Sequence, residues 1–345
     1  MKKKKSNIKK THRKNFKKSR NRTFNRKYYS KEDIFLSRMA SILQLSKGET
    51  KHIFCQRART TIRLNNLKGD NQKTYRVLTQ TKGWELQKIN GFKDTYFVNN
   101  KDKSEVSQTD EYRDGKFYIQ DLASILSIYI LDPQENEKIL DICAAPGSKT
   151  NLISSMTNNK ANIVANDIDT PRVGKLNNVL SQFGSKNVKV TNVNGNIFGG
   201  TYPNHFDKVL LDAPCSGEGR VYLVTPKPLR FWSIKKVNSM VNTQKELLES
   251  AFNTLKIGGT LIYSTCTLEP DENENVVSYL LNKYENVRLE EIEFVNSLDK
   301  LLTKNIKSGI TKWSGNLYHP EVRKSVRIIP SPEMMGFYIT KITKR

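Results

Sequence analysis

The sequence predicts an α/β protein: a Rossmann-like, doubly wound parallel sheet over residues 111–345, preceded by a small α+β module over 30–110. Three observations carry this. From about residue 110, short apolar runs alternate with helical patterns, as parallel strands joined by crossovers do. The segment "ILDICAAPGSKT" (139–150) runs as an apolar strand into a small-residue loop and then a helix. Twenty residues after its glycine, Asp167 closes the next predicted strand, where an acid accepts hydrogen bonds from ribose hydroxyls.

The chain opens on a basic tail over 1–29. Its first 27 residues hold 14 Lys or Arg and no acid. The whole 345-residue chain carries +24, so the remainder still holds +10. Both parts favour an anionic polymer, and the tail reads as a disordered arm that meets nucleic acid through phosphates. It has the acid-free character of an organellar presequence, but Lys dominates and an apolar helical face is missing. No apolar segment suits a secretory signal or a membrane span, so a cytoplasmic protein without membrane contact is expected.

Within the small module, "SKEDIFLSRMASILQL" (30–45) has a Ser cap, early acids and helical spacing from Ile34 to Leu43. "TIRLNNL" and "TYRVLTQ" read as short strands, with more in "WELQKI" and "DTYFVNN". In the larger domain, strands are expected at 138–142, 162–167, 187–193, 207–212 and 259–265. Helices are expected at 148–158, 170–183, 243–256 and 272–283, with a last strand at 335–342.

In such sheets a ligand sits beyond the carboxyl ends of the strands. The first strand delivers Cys143, Ala144, Ala145, Pro146, Gly147, Ser148 and Lys149. This loop fails the triphosphate-loop pattern, since Ser148 separates Gly147 from Lys149, and one glycine is too few for a dinucleotide fingerprint. A sharp turn that brings backbone amides near a ligand survives. Asp169, ahead of Thr170-Pro171, suits a helix cap; Asp167 suits a ribose. Asn194 ends the third strand and can meet an adenine edge.

The fourth strand ends in "DAPCSGEGR" and the fifth in "YSTCTLEPDENE". Cys215 and Cys266 therefore face one crevice beside Asp212. Methyl transfer to a pyrimidine ring carbon wants this set. Carbon-5 of cytosine is a weak nucleophile until a thiolate adds to carbon-6, and a carboxyl group then stabilises the developing charge. A second thiol can assist the later release. A free thiol is mostly protonated at neutral pH, so the site should lower its pKa, and Lys149 is the candidate cation. This chemistry leaves open which cysteine attacks. Cys55 and Cys143 read as inert small hydrophobes, and the scattered Cys and His propose no metal site.

"DICAAPGSKT", "LLDAPCSGEGR", "LKIGGTLIYSTCTLEPDENE" and the closing "GFYITKI" together resemble the Sun/RsmB/RsmF-type RNA cytosine-5 methyltransferases. "ARTTIRLNNLKGD" (58–70) and "GKFYIQDLAS" (115–124) resemble segments that precede the catalytic domain there. The resemblance implies a class I S-adenosylmethionine-dependent methyltransferase sheet behind an RNA-binding module. It implies S-adenosylmethionine held by Cys143 to Lys149, Asp167, Asn194 and Asp212. Cys266 is then the nucleophile, Cys215 assists release, and Lys149 and Asp212 contact the cytosine. Ribosomal RNA is the first substrate expected and transfer RNA the second, with the chain a monomer. A non-catalytic ribosome-assembly factor of the same fold is disfavoured by the intact Cys215, Cys266, Asp212 and Lys149.

Three departures stand out. Asn194 replaces the usual aspartate, which should weaken an adenine contact. Ser148 replaces a second glycine, so its backbone must avoid a glycine-only conformation. A C-terminal extension of longer bacterial members is missing and the basic tail is extra. Glu272 and Glu274 in "ENENVV" read as helix-start residues.

Overall fold

The computed structural model describes residues 30–345; the basic tail expected over 1–29 lies outside the described residues. Helix α1 (Lys31–Leu43) starts where Ser30 predicts, the Ser30 hydroxyl accepting the Asp33 N–H at 3.0 Å. A second helix, α2 (Lys47–Cys55), follows behind a Ser46/Glu49 capping box. The pair does not pack on the small module. Phe35, Met39 and Phe54 close instead over Leu229, Trp232 and Leu268 of the larger domain.

The module proper is a four-stranded antiparallel sheet. Strands β1 (Thr60–Leu64), β2 (Leu86–Lys88), β3 (Thr95–Val98) and β4 (Phe117–Ile119) are arranged β2-β3-β1-β4. Its edge strand β4 lies past residue 110, so the module extends beyond the boundary the sequence suggested. "TYRVLTQ" is not a strand: α3 (Asn71–Arg76) runs into a π-helical turn over Val77–Thr81. Leu78 reaches the module core from one side of that helix, which alternation of apolar residues does not separate from a strand. Two short helices, α4 (Lys103–Ser107) and α5 (Asp110–Arg113), lead into β4.

Next comes α6 (Leu122–Leu131), capped by Asp121 and buried on nearly every side, so it has no polar face for periodicity to mark. Strand β5 (Lys138–Asp141) then begins the main sheet. It is followed by α7 (Ser148–Met156), β6 (Asn162–Asn166), α8 (Thr170–Gln182) and β7 (Val188–Thr191). After a short α9 (Phe198–Thr201) come β8 (Phe206–Asp212), α10 (Ile234–Thr254), β9 (Leu255–Thr265) and α11 (Glu274–Lys283). Helix α10 starts earlier than expected, because its first turns are polar and bury little besides Val237.

The last fifth holds β10 (Val287–Glu290), α12 (Lys300–Thr303), β11 (Ile306–Ser308) and a small hairpin of β12 (Lys312–Trp313) and β13 (Asn316–Leu317). It ends in β14 (Val326–Ile328) and β15 (Phe337–Lys344). The main sheet runs β11-β14-β15-β9-β8-β5-β6-β7, with β10 beside β14 on the same edge of β15. The five strands from β7 to β9 are parallel, as expected; β15 inserts antiparallel against β9.

Successive residues of β8 enter opposite core layers. Leu210 packs with Ile125 and Leu126 of α6, while Val209 and Leu211 pack with Leu248 and Ala251 of α10. Burial on both faces explains why the strands read as continuous apolar runs. The strand order reverses between β5 and β8, which opens a crevice at their carboxyl ends.

Candidate active site

Gly147 makes the turn that joins β5 to α7. Its φ is 109°, and a Cβ there would lie 2.9 Å from the Leu176 side chain. Ser148 is already the first residue of α7, so its substitution for glycine carries no backbone strain. The turn is braced from below: the Ala144 N–H donates to the Asn166 carbonyl at 2.7 Å, and the Ala145 N–H to Asp167 Oδ2 at 3.2 Å. Asp169 caps α8 through the Arg172 N–H, as its position predicts.

Asp167 is only 2% exposed, yet it lines the crevice. Arg172, which no sequence motif singles out, lies 3.2 Å from its carboxylate and donates to the Ala145 carbonyl at 2.6 Å. Asn194 also faces the crevice, its Oδ1 accepting the Asn196 N–H at 3.0 Å. Cys143, Ala145, Pro146, Ser148, Lys149 and Asp212 line the same cavity of about 940 Å³, and so do Cys215 and Cys266. Ala144 and Gly147 shape the turn behind it.

The two cysteines meet. Cys215 Sγ and Cys266 Sγ are 3.2 Å apart, both as free thiols. Beside them the Lys149 ammonium donates to Asp212 Oδ2 at 2.7 Å and lies 5.5 Å from the centre of the Phe337 ring. The other Asp212 oxygen accepts the Ser264 hydroxyl at 2.9 Å.

Electrostatics separate the thiols. Donation from Cys215 holds Cys266 below its ordinary value against burial, with Arg220 and then Lys149 adding to the effect. The Cys215 thiol is raised, first by its bond to Cys266, then by burial and by the nearby Glu272 and Asp212 carboxyls. Lys149 is thus not the main cation for the thiolate, because its charge is engaged by Asp212. Arg220 acts ahead of it. Its only signal in the sequence is its place as the last residue of "DAPCSGEGR". Burial pushes Cys143 up strongly, in keeping with an inert thiol.

Beneath the cysteines lies a cluster that sequence reasoning missed. Glu218, Glu269, Glu272 and Glu274 are all fully buried. Glu274 does open α11, as expected, and pairs with Arg327 at 2.6 Å. Glu272 is not a helix-start residue. Its carboxyl accepts the Ser216 N–H at 3.0 Å and the Gln244 amide at 2.7 Å, and it meets the Ser216 hydroxyl. Glu218 accepts the Trp232 indole N–H at 2.5 Å, and Arg38 of α1 reaches both Glu269 oxygens at 2.6 and 2.8 Å.

Residues 128–343 match the family model described as 16S rRNA methyltransferase RsmB/F. The chain belongs to the RsmB/F methyltransferase family. Among curated proteins it is similar to ribosomal RNA small subunit methyltransferase F of Citrobacter koseri. The two are 40% identical over 258 residues, covering 73% of this chain and 53% of that protein. The Shigella dysenteriae serotype 1 protein of the same name is 39% identical over the same shares. The chain therefore spans about half the length of these relatives.

Among solved structures, a methyltransferase homolog protein from Pyrococcus horikoshii is 28% identical with a TM-score of 0.70, covering 90% of this chain and 99% of that one. NSun6 from Pyrococcus horikoshii with SFG is 21% identical with the same TM-score, covering 91% and 98%, and speaks for the fold. This RsmB/F-family chain thus has the class I S-adenosylmethionine-dependent methyltransferase fold behind an N-terminal module. Among the described residues no helix is long and apolar enough to cross a membrane.

Proposed function

We propose that this protein transfers a methyl group from S-adenosylmethionine to carbon-5 of a cytosine in RNA, ribosomal RNA first, through a covalent bond to Cys266. The observation that carries the reading is the 3.2 Å approach of Cys215 and Cys266 beside the Lys149–Asp212 pair.

The residues around the crevice fit the cofactor. A cavity of about 940 Å³ holds carboxylates at Asp167 and Asp212, the Asn194 amide, and a loop whose glycine has no room for a side chain. Cys143 to Lys149, Asp167, Asn194 and Asp212 would hold it. When bound, it supplies an electrophilic methyl group.

The chain's own residues do the rest. Cys266, the more acidic thiol, adds as thiolate to carbon-6 and makes carbon-5 nucleophilic. Asp212, held by Lys149 and Ser264, faces the ring nitrogen and amino group and stabilises the charge that develops there. Cys215 assists the later step, in which the carbon-5 proton leaves to water in the crevice, its electron pair re-forms the carbon-5–carbon-6 double bond and Cys266 departs as thiolate.

Bisulfite sequencing of total RNA from cells with and without the protein tests this. The expected result is one ribosomal cytosine that loses protection on deletion and is not restored by Cys266→Ala. Loss at a transfer RNA would change the substrate. Loss nowhere would leave an assembly role and sink the catalytic reading.

A further inference from the structure

Phe231 is 73% exposed, although a large aromatic ring in water is costly and its neighbours in the same loop are well buried. Leu229 and Trp232 are 6% and 3% exposed and fill the core shared with α1 and α2. Trp232 meets Phe35 edge to face at 5.0 Å, and its indole N–H is fixed on Glu218. The loop is tied elsewhere too: the Leu223 N–H donates to the Phe54 carbonyl at 2.8 Å, and Arg230 and Trp232 close turns onto Lys227 and Leu229. Two anchors thus hold the ring outward between them. Anchoring of this kind lowers the entropic cost of binding a ligand on the loop.

The ring lines the rim of the cavity that contains Cys215 and Cys266. Its surroundings are strongly basic. Residues 220–245 hold six Lys or Arg and no Asp or Glu. Arg220 and Lys236 line the cavity itself, and the Arg230 guanidinium lies 5.0 Å from the centre of the Phe231 ring. An exposed ring beside guanidinium and ammonium groups is the arrangement that binds unpaired nucleotides, the ring stacking on a base and the cations meeting phosphates. A protein partner with an apolar surface would have to bury these charges unpaired.

We infer that Phe231 is a stacking platform for an unpaired RNA base next to the target cytosine, with Arg230 beside it on the backbone. Helices α1 and α2, through the two anchors, buttress this loop from behind. The inference rests on the RNA reading above and adds the place where the strand leaves the active site.

The test uses the full chain, saturating S-adenosylhomocysteine and a fluorescently labelled, unpaired cytidine-containing RNA oligonucleotide. Phe231→Ala should weaken binding about tenfold, and Phe231→Leu by a similar factor, because stacking needs a π-face. Phe231→Trp should restore it. The salt dependence of binding should be unchanged in Phe231→Ala but shallower by about one ion in Arg230→Ala. Melting temperature and S-adenosylhomocysteine affinity should not change in Phe231→Ala. Wild-type affinity in Phe231→Ala or Phe231→Leu would overturn the platform while leaving the RNA reading intact. Failure of the unmodified chain to bind the oligonucleotide would overturn both.

Discussion

Glu218 and Glu272 are joined through one hydroxyl. Ser216 Oγ lies 2.7 Å from Glu218 Oε2 and also contacts Glu272 Oε1, with Thr267 Oγ1 at 3.1 Å. Thr267 contacts the same Glu218 oxygen. The Ser216 hydroxyl has one proton, so it can satisfy one of its two carboxylate neighbours. The other contact needs a proton on the carboxyl side, and Glu272 is the acid that carries it. Burial, then the nearby Glu218 charge, push Glu272 up to about 8.

Stability should therefore depend on pH through Glu272. Its folded pKa is raised above the ordinary 4.5, so the proton stabilises the fold. The contribution is complete below about pH 4.5 and is lost as pH rises through about 8. Asp121, Asp141 and Glu269 are pushed up to about 6, 7 and 7 and titrate in the same window, so a difference must be read. Between pH 5 and 8, Glu272→Gln should lose less unfolding free energy than wild type, by at least about 1 kcal/mol. Parallel stability curves for the two proteins would refute the shared proton.

The thiol pair makes a second prediction without any methyl acceptor. Cys215 lowers the pKa of Cys266 by donating to it. With Cys215→Ala, that donor is gone, and the inflection for iodoacetamide labelling of Cys266 should move to higher pH. Peptide mapping after labelling reads the site directly. An inflection that stays in place, or moves down, would assign the acidity to Arg220 and Lys149 alone.

Arg327 and Glu274 form a buried pair, with side chains 4% and 0% exposed. Arg327→Met leaves a buried carboxylate facing little but the Ile310 N–H, and should cost about 3–5 kcal/mol. Adding Glu274→Leu should recover much of that loss, since the uncompensated charge goes with it. Urea unfolding of the two single variants and the double variant checks this. A double variant as unstable as Arg327→Met would place the effect in packing instead.

Asn194 offers a gain. Its Oδ1 already accepts the Asn196 N–H, a bond that a carboxylate makes equally well. Asn194→Asp should keep the local turn and strengthen a hydrogen bond to an amino-bearing ligand, tightening S-adenosylhomocysteine binding by up to about tenfold. Calorimetric titration would show it. Unchanged or weaker affinity would mean that residue 194 does not touch the adenine.

The sequence-based expectations hold best where physical signals are local. Strands β5, β8 and β9 are buried along most of their length and β5, β6, β8 and β9 end in or within two residues of Asp or Cys, so their apolar runs and the residues at their ends are both readable. The crevice follows from the alternation of strands and helices, and with it the meeting of Cys215 and Cys266. Less local relations are not readable. "TYRVLTQ" has an apolar pattern compatible with either period, and only packing of Leu78 decides for helix. Short strands β10 and β11 exist through partners farther along the chain, β15 and β14. Glu272 looks like any acid ahead of a helix until Ser216 and Gln244, brought from other elements, close around it. Arg220 needs the same tertiary information.

The late strand β15 carries a consequence for synthesis. It lies inside the main sheet, with β9 on one side and β10 and β14 on the other. Just before it, the Gly336 N–H donates to the Gly219 carbonyl at 3.0 Å, and a Cβ on Gly219 would fall 1.9 Å from the Gly336 oxygen. The loop carrying Cys215 is therefore clamped by a segment made more than a hundred residues later. A ribosome translating this message holds the Cys215 loop without its Gly336 contact until residues 336–344 have emerged and β15 has paired. Seating of the Cys215 loop thus waits on residues far along the chain, and a product truncated before Phe337 should show Cys215 and Cys266 more open to thiol labelling than the full chain.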